Sequence, residues 1–161
     1  MSAKFRAYLD LVRIPNVITA AADILAGFFY VDGSADDWRT CVLLIGASCS
    51  LYAGGVALND VCDVEHDMRE RAGRPIPSGR ISRREAAVLS TLLLVVGFLL
   101  ACASSWWAAA VGGALLVAIV LYNGVLKRTA VAPTAMGVCR ALNLILGMSV
   151  APRVRGRSEP P

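Results

Sequence analysis

The residues of this 161-residue chain whose types and spacing could do chemistry lie mainly in one acidic stretch, residues 59–67. If a helix runs through this stretch at about 100° per residue, four of its five acidic or amide side chains fall within one sector about 100° wide, and Glu65 points away. The side chains that share this face are Asn59, Asp60, Asp63 and Asp67. The spacing therefore predicts an oxygen-rich helix face.

Carboxylates on one face repel each other, and a helix C-terminus also disfavours negative charge. Magnesium is a hard cation that prefers oxygen ligands, and proteins often hold it with one or two carboxylates plus substrate phosphates. The arginine-rich segment 69–84 follows directly, and arginine pairs phosphate oxygens bidentately. The stretch therefore predicts a Mg²⁺ site for a phosphate-bearing substrate. The alternative is a solvated helix end whose acids pair with nearby arginines.

The elements that must position this face are apolar. Hydrophobic residues make up 57% of the chain and charged residues 17%, against about 45–50% and about 25% in soluble domains. A soluble domain, a coiled coil and a disordered protein are all disfavoured. Five apolar runs are about as long as a membrane-spanning helix. They lie at about 15–31, 40–58, 86–103, 105–123 and 131–151. The pattern predicts an all-α, multi-pass membrane bundle of about five transmembrane helices.

The basic residues set the expected orientation. They concentrate before the first run, in the 69–84 segment and at residues 127–128, which all fall on one side of a five-span protein. Cytoplasmic loops carry the excess of Lys and Arg, so we expect the N-terminus and the acidic stretch to be cytoplasmic, in a cell inner membrane. Because topology accounts for these arginines, no nucleic-acid partner is expected despite the net charge of +4.

Two charged residues interrupt the apolar runs, Asp23 in the first and Arg140 in the fifth. An arginine near a membrane centre costs about 2.5–3.5 kcal/mol on insertion scales, so such residues usually face a bundle interior and a partner. We hypothesise that Arg140 faces an anion, either a diphosphate or a carboxylate such as that of Asp23. A purely structural pair between helices is the open alternative.

Several motifs together resemble one protein family. Residues 59–67 read N-D-x-x-D-x-x-x-D, similar to the first Asp-rich motif of the UbiA family of membrane prenyltransferases. Residues 74–79 match the R-P-I-P-S-G loop that follows it in that family. Residues 11–16 resemble the start of helix one there, and Tyr122 with Lys127 resembles a Y-x-x-x-K-R element with one extra residue. The fifth run is closest to the EboC-like subgroup, and the resemblance extends over about residues 8–150.

The resemblance implies the first half of a nine-helix, all-α fold. It also implies Mg²⁺-dependent transfer of a prenyl group from an allylic prenyl diphosphate to a small, often aromatic acceptor. Its metal ligands, carried onto this chain, are Asn59, Asp60, Asp63 and Asp67, and its catalytic residues are Asp63, Asp67 and Lys127. Diphosphate would be bound by Arg74, Arg80, Lys127, Arg128 and Arg140. The substrate cavity would be lined by Asn16, Tyr122 and Asn143.

The sequence departs from the family pattern in one respect, because these 161 residues contain no second Asp-rich motif. We expect residues 1–151 to form a truncated prenyltransferase-type membrane domain and residues 152–161 to be a disordered, basic, Pro-rich tail. A partner chain would then complete the active site. The alternative is a non-catalytic membrane remnant or subunit.

Overall fold

The computed structural model describes residues 2–31, 33 and 37–150, and in these residues it contains helices and no strands. The expected tail, 152–161, lies outside the described residues. The α-helices, in chain order, are α1 (Ala3–Val12), α2 (Ile14–Tyr30), α3 (Trp38–Cys62), α4 (Val64–Glu70), α5 (Arg83–Ser104), α6 (Trp106–Gly124) and α7 (Ala132–Gly147). Two short 3₁₀ turns, Leu126–Arg128 and Met148–Val150, flank α7.

Four helical segments in the described residues are long and apolar enough to cross a membrane: α3, α5, α6, and α7 with the 3₁₀ turn that follows it. α1 and α2 pass the same test only as a pair, bent by 42° at their junction. Large apolar side chains such as Leu92, Leu99 and Val117 remain exposed on these helices, as expected for surfaces that face lipid. The predicted all-α, multi-pass membrane bundle is therefore confirmed.

Local sequence signals explain where two of these helices begin. Ser82 and Glu85 form the capping box at the start of α5: the Ser82 hydroxyl accepts from the Glu85 N–H, and the Glu85 carboxylate accepts from the Ser82 N–H. The bend before α2 occurs at Arg13, which adopts a left-handed backbone conformation with φ 52°. Pro15 lies in the first turn of α2, where its missing N–H costs nothing.

The acidic stretch is not one continuous helix. α3 ends at Cys62, and Asp63 (φ −98°, ψ 8°) separates it from α4. The interruption is local, since the Asp63 N–H still donates to the Asn59 carbonyl at 3.0 Å and the Asp67 N–H to the Asp63 carbonyl at 2.8 Å. The expected uninterrupted helix face is thus corrected to two short helical faces joined at Asp63.

The main core lies between α2, α3, α5, α6 and α7. Leu44 and Leu51 of α3, Ile24 of α2 and Leu146 of α7 are fully buried there. α2 and α7 approach backbone to backbone at Gly147, where an added Cβ would overlap the Ile24 carbonyl. Small residues allow such close approach between membrane helices.

A second core holds the arginine-rich loop against the N-terminal helix. Ile76 and Ile81 of the loop are buried with Leu11 of α1 and Val64 of α4. An ion pair from Lys4 Nζ to Glu85 Oε1, at 2.6 Å, ties α1 to the start of α5. The loop that carries Arg74 is thereby anchored beside the acidic stretch.

Candidate active site

The acidic residues meet three basic residues where α3 ends. We call this group the charged cluster; it consists of Arg13, Asn59, Asp60, Asp63, Asp67, Arg74 and Lys127. It unites the junction of α1 and α2, the end of α3, α4, the loop before α5 and the 3₁₀ turn before α7. Its members are up to 114 residues apart in the chain, from Arg13 to Lys127.

Arg74 is the centre of one half of the cluster. Its Nη1 binds Asp60 Oδ1 at 3.2 Å and also binds Asp67 Oδ2. Arg13 Nη2 donates to the same Asp60 oxygen at 3.0 Å. The side chains of Asp60 and Asp67 are only 5% and 2% exposed, so these carboxylates are compensated by guanidinium groups rather than by water.

Lys127 is the centre of the other half. Its ammonium group lies 2.7 Å from Asp63 Oδ1 and donates to Asn59 Oδ1 at 3.3 Å. The Lys127 side chain is 9% exposed. The 3₁₀ turn Leu126–Arg128 therefore directs this cation to the break between α3 and α4.

The donor chemistry of the cluster fits a hard divalent cation. All its ligand candidates offer oxygen atoms, and Asp67 Oδ1 is buried without a hydrogen-bond partner, so it retains unused lone pairs. Among the described residues, no three His, Cys, Asp or Glu side chains are gathered closely enough to hold a metal ion. Arg74 and Lys127 bind two of these carboxylates, those of Asp67 and Asp63.

A cavity of about 330 Å³ adjoins the cluster. Its walls are polar at two ends and largely apolar between them. One end is lined by Arg13, Asn59, Arg71 and Arg74; the middle by Leu51, Tyr52, Val56, Leu115, Ile119 and Tyr122; and the other end by Asp23, Arg140 and Asn143. Such a cavity can hold a molecule with an anionic group at the first end and an apolar body beyond it.

The far end of the cavity is a polar network within the membrane span. Arg140 Nη2 lies 3.2 Å from both Asp23 oxygens, and the Asn143 amide donates to Asp23 at 3.4 Å. The Ser48 hydroxyl donates to Asn143 Oδ1 at 2.6 Å. Of the two partners expected for Arg140, the structure therefore provides the Asp23 carboxylate.

Asp60, Asp63, Asp67 and Lys127 belong to the charged cluster but do not line the cavity. Three further predicted site residues lie neither in the cluster nor on the cavity wall. Arg80 donates from Nη1 to Asp10 at 2.8 Å and from Nη2 to the Gly73 carbonyl at 2.9 Å, so its guanidinium is held on the outer side of the loop. Asn16 and Arg128 are exposed and do not line the cavity. Their predicted diphosphate or cavity roles lack a supporting contact in the described residues.

The sequence reasoning missed other residues of the site. The sequence indicates Arg13 as a topology-setting charge and as part of the resemblance at residues 11–16, but not as a site residue, yet it binds Asp60. Arg71 lines the cavity. Asn123 also lines it: its Nδ2 donates to the Ile119 carbonyl at 2.9 Å, and its buried Oδ1 has no partner. The available signal was position, since Arg13 precedes the first apolar run and Asn123 follows Tyr122 directly.

Comparisons with known proteins agree with this architecture. The family described as "UbiA prenyltransferase family" matches residues 20–157. Digeranylgeranylglyceryl phosphate synthase of Metallosphaera sedula is 36% identical over 141 residues, which are 87% of this chain and 50% of that protein. The synthase of the same name from Methanopyrus kandleri is 32% identical over 154 residues, 92% of this chain and 56% of that protein.

A solved structure described as concerning digeranylgeranylglyceryl phosphate synthase in membranes superposes with a TM-score of 0.85. Its sequence is 26% identical, and the match covers 91% of this chain and 53% of that chain. This chain therefore spans about half the length of the relatives it matches.

Proposed function

This chain belongs to the UbiA prenyltransferase family, and from that membership we propose that it serves in Mg²⁺-dependent transfer of a prenyl group from an allylic prenyl diphosphate to an acceptor. The observation that carries the proposal is the position of the charged cluster at one end of a cavity with apolar walls, in a multi-pass membrane bundle. The cations suit a diphosphate, and the apolar walls suit a prenyl chain entering from lipid.

The charges of the cluster support metal dependence. Its three cations and three carboxylates cancel, as the ion pairs of Arg13, Arg74 and Lys127 indicate. A diphosphate that drew these cations away would leave buried carboxylates uncompensated, which costs about 3–5 kcal/mol for a broken buried pair. A divalent cation that arrives with the diphosphate removes this cost. We therefore expect donor and Mg²⁺ to bind together.

The residues proposed to hold Mg²⁺ are Asn59, Asp63 and Asp67, with Asp60 beside them. Their oxygen donors and the unpartnered Asp67 Oδ1 support this assignment. When bound, the ion would supply Lewis-acid charge to the diphosphate oxygens.

The chain's own residues would act on the leaving group. In the reaction the allylic C–O bond breaks and its electron pair leaves with the diphosphate, while an acceptor atom bonds to the prenyl carbon and loses a proton. We propose that Arg74, which lines the cavity, and Lys127 would stabilise the departing charge in a water-poor site. Leu115 and Ile119, which line the apolar middle of the cavity, would exclude water from the allylic cation.

We propose the cell inner membrane as the location, with the N-terminus and the charged cluster on the cytoplasmic side. The basic residues around the cluster support this orientation. We propose a small acceptor molecule that carries an aromatic ring. The chain spans about half the length of the relatives it matches, and the proposal includes a partner chain that contributes to the site.

The first test is binding of an unreactive donor analogue, geranylgeranyl thiolodiphosphate, to the chain in lipid nanodiscs with and without Mg²⁺. We expect Mg²⁺-dependent binding that Asp63→Asn and Lys127→Gln weaken at least tenfold, since each removes a charged contact of the cluster. Glu70→Gln is the matched control, because Glu70 is an exposed acid of α4 that pairs with His66. Equal affinity in Asp63→Asn and the unmodified chain would refute the site.

The second test is turnover. Pyrophosphate release from geranylgeranyl diphosphate in the presence of an acceptor would establish the activity in this chain. Donor binding without release would favour the alternative role, a membrane subunit that needs a partner chain for catalysis.

A further inference from the structure

We propose that Arg140, Asp23 and Asn143 form the acceptor-binding end of the cavity, and that they select an acceptor whose head group is uncharged and carries a carbonyl or hydroxyl oxygen. The inference rests on the proposed function, because it places the acceptor opposite the end that takes the diphosphate.

Arg140 has hydrogen-bonding capacity that its contacts within the described residues do not use. A guanidinium offers five N–H donors, but only Nη2 is engaged here, by Asp23. Its Nε and Nη1 make no hydrogen bond to another described residue. The side chain is 64% exposed although it lies midway along α7, and it lines the cavity. Because a cation at membrane depth needs a polar environment, these free donors are suited to a ligand oxygen.

The charge of the Arg140–Asp23 pair disfavours an anionic head group. Both Asp23 oxygens lie 3.2 Å from Arg140 Nη2, so the pair is neutral as a unit. A carboxylate or phosphate placed beside it would meet Asp23 nearly as closely as Arg140, and would gain little attraction for its large cost of leaving water. A carbonyl or hydroxyl oxygen still accepts a charge-assisted hydrogen bond, and a hydroxyl can also donate to Asp23.

The polar network around Asn143 holds the Arg140–Asp23 pair rigidly. Asn143 is held by Ser48, which is fully buried, and donates its amide hydrogens to Asp23 and to the Ala20 carbonyl. This network fixes the Asp23 carboxylate, and through it the guanidinium of Arg140. A preorganised pair loses less entropy when a ligand binds.

The distance between Arg140 and the charged cluster suits a single-ring acceptor. Ser48 and Asn59 lie on the same helix, about 16 Å apart at 1.5 Å per residue. Arg140 precedes Asn143, the partner of Ser48, by about 4.5 Å along α7. α7 starts near Lys127, at the end of the bundle where α3 finishes, so Arg140 lies about 12 Å from the level of Asn59. A single-ring molecule bound at Arg140 can reach toward a prenyl carbon placed just above the charged cluster.

The test compares two probes of similar size that differ in head charge, 4-hydroxybenzyl alcohol and 4-hydroxybenzoate. Binding to the chain in nanodiscs is measured by calorimetry with Mg²⁺ and geranylgeranyl thiolodiphosphate present. We expect the alcohol to bind about tenfold more tightly than the benzoate. Arg140→Gln should weaken the alcohol about tenfold, the loss expected for a hydrogen bond to a charged donor.

Asp23→Asn tests the charge argument separately. It leaves the guanidinium uncompensated, so we expect the preference to invert in favour of the benzoate. Arg39→Gln, which changes an exposed arginine at the opposite end of α3, is the matched control and should leave both affinities unchanged. The double variant Asp23→Asn with Arg140→Gln keeps a neutral network. Its helical circular dichroism and elution volume control for folding.

The possible failures are distinguishable. Loss of Mg²⁺-dependent donor binding would overturn the proposed function itself. Intact donor binding would overturn only the acceptor inference if the benzoate binds the unmodified chain as tightly as the alcohol. Intact donor binding with neither probe bound, or with Arg140→Gln leaving the alcohol affinity unchanged, would do the same.

Discussion

Replacing Arg74 by glutamine should destabilise the folded chain more than any other single arginine replacement in the loop before α5. Arg74 binds two carboxylates whose side chains are 5% and 2% exposed, those of Asp60 and Asp67. Asp60 keeps Arg13 as a partner at 3.0 Å, so it remains compensated. Asp67 loses its cation, and its Oδ1 already lacks a hydrogen bond.

The expected cost is therefore that of one uncompensated buried carboxylate. Breaking a buried pair costs about 3–5 kcal/mol, and the polar amide of glutamine retains part of the contact, so we expect about 3 kcal/mol. The matched control is Arg80→Gln in the same loop. Its partner Asp10 is 48% exposed, and exposed pairs contribute only about 0–1 kcal/mol.

The assay is reversible unfolding of the chain in detergent micelles, followed by helical circular dichroism at fixed detergent. Arg74→Gln with Asp67→Asn should recover much of the loss, because the amide of asparagine needs no cation. Mg²⁺ should stabilise Arg74→Gln more than the unmodified chain, by mass action at the freed carboxylates. Equal unfolding free energies for Arg74→Gln and Arg80→Gln would refute this account, as would a double variant less stable than Arg74→Gln alone.

Three further outcomes are expected. Gly147→Ala should cost about 1–3 kcal/mol of folding free energy through overpacking against the Ile24 carbonyl. Gly137→Ala should instead stabilise α7 by about 0.5–1 kcal/mol, because a Cβ there meets nothing within 4 Å. Thermal unfolding of both variants checks the contrast. Ser82→Ala removes the capping box with Glu85 and should cost about 1 kcal/mol, measured as a change in the unfolding midpoint; an unchanged midpoint would contradict the cap's contribution. Removing Mg²⁺ with EDTA should lower donor-analogue affinity at least tenfold, and equal affinity with and without the metal would contradict the proposed Mg²⁺ role of the charged cluster.

Much of the fold could be predicted because its signals are local. The composition of each apolar run alone predicts a membrane-length helix, and the capping box at Ser82 is complete within four residues. The bend at Arg13 and the break at Asp63 were not predictable in this way. Both are single-residue departures from helical geometry that tertiary packing selects, and neither carries a glycine or proline of its own.

The contrast between Arg74 and Arg80 shows where sequence reasoning about the site reached its limit. Both are arginines of one loop and were assigned the same diphosphate role. The burial of Ile76 and Ile81 against α1 and α4 fixes the loop so that Arg74 points to the buried acids and Arg80 to the surface carboxylate of Asp10. This choice depends on contacts between elements far apart in the chain, which residue spacing does not encode.

The sequence left two interpretations of the acidic stretch open, a metal site and a solvated helix end paired with arginines, and the contacts combine parts of both. The acids are paired with cations, but Asp60 and Asp67 are not solvated. Buried ion pairs contribute little to stability compared with well-packed apolar side chains, so stability alone does not account for four acid–base contacts at these carboxylates beside a cavity. Under the proposed function, a bound diphosphate would draw Arg74 and Lys127 away, and Mg²⁺ would take their place beside the carboxylates. Exchange of partners then leaves no buried carboxylate uncompensated at any stage, which is why the Arg74→Gln variant should respond to Mg²⁺ more strongly than the unmodified chain.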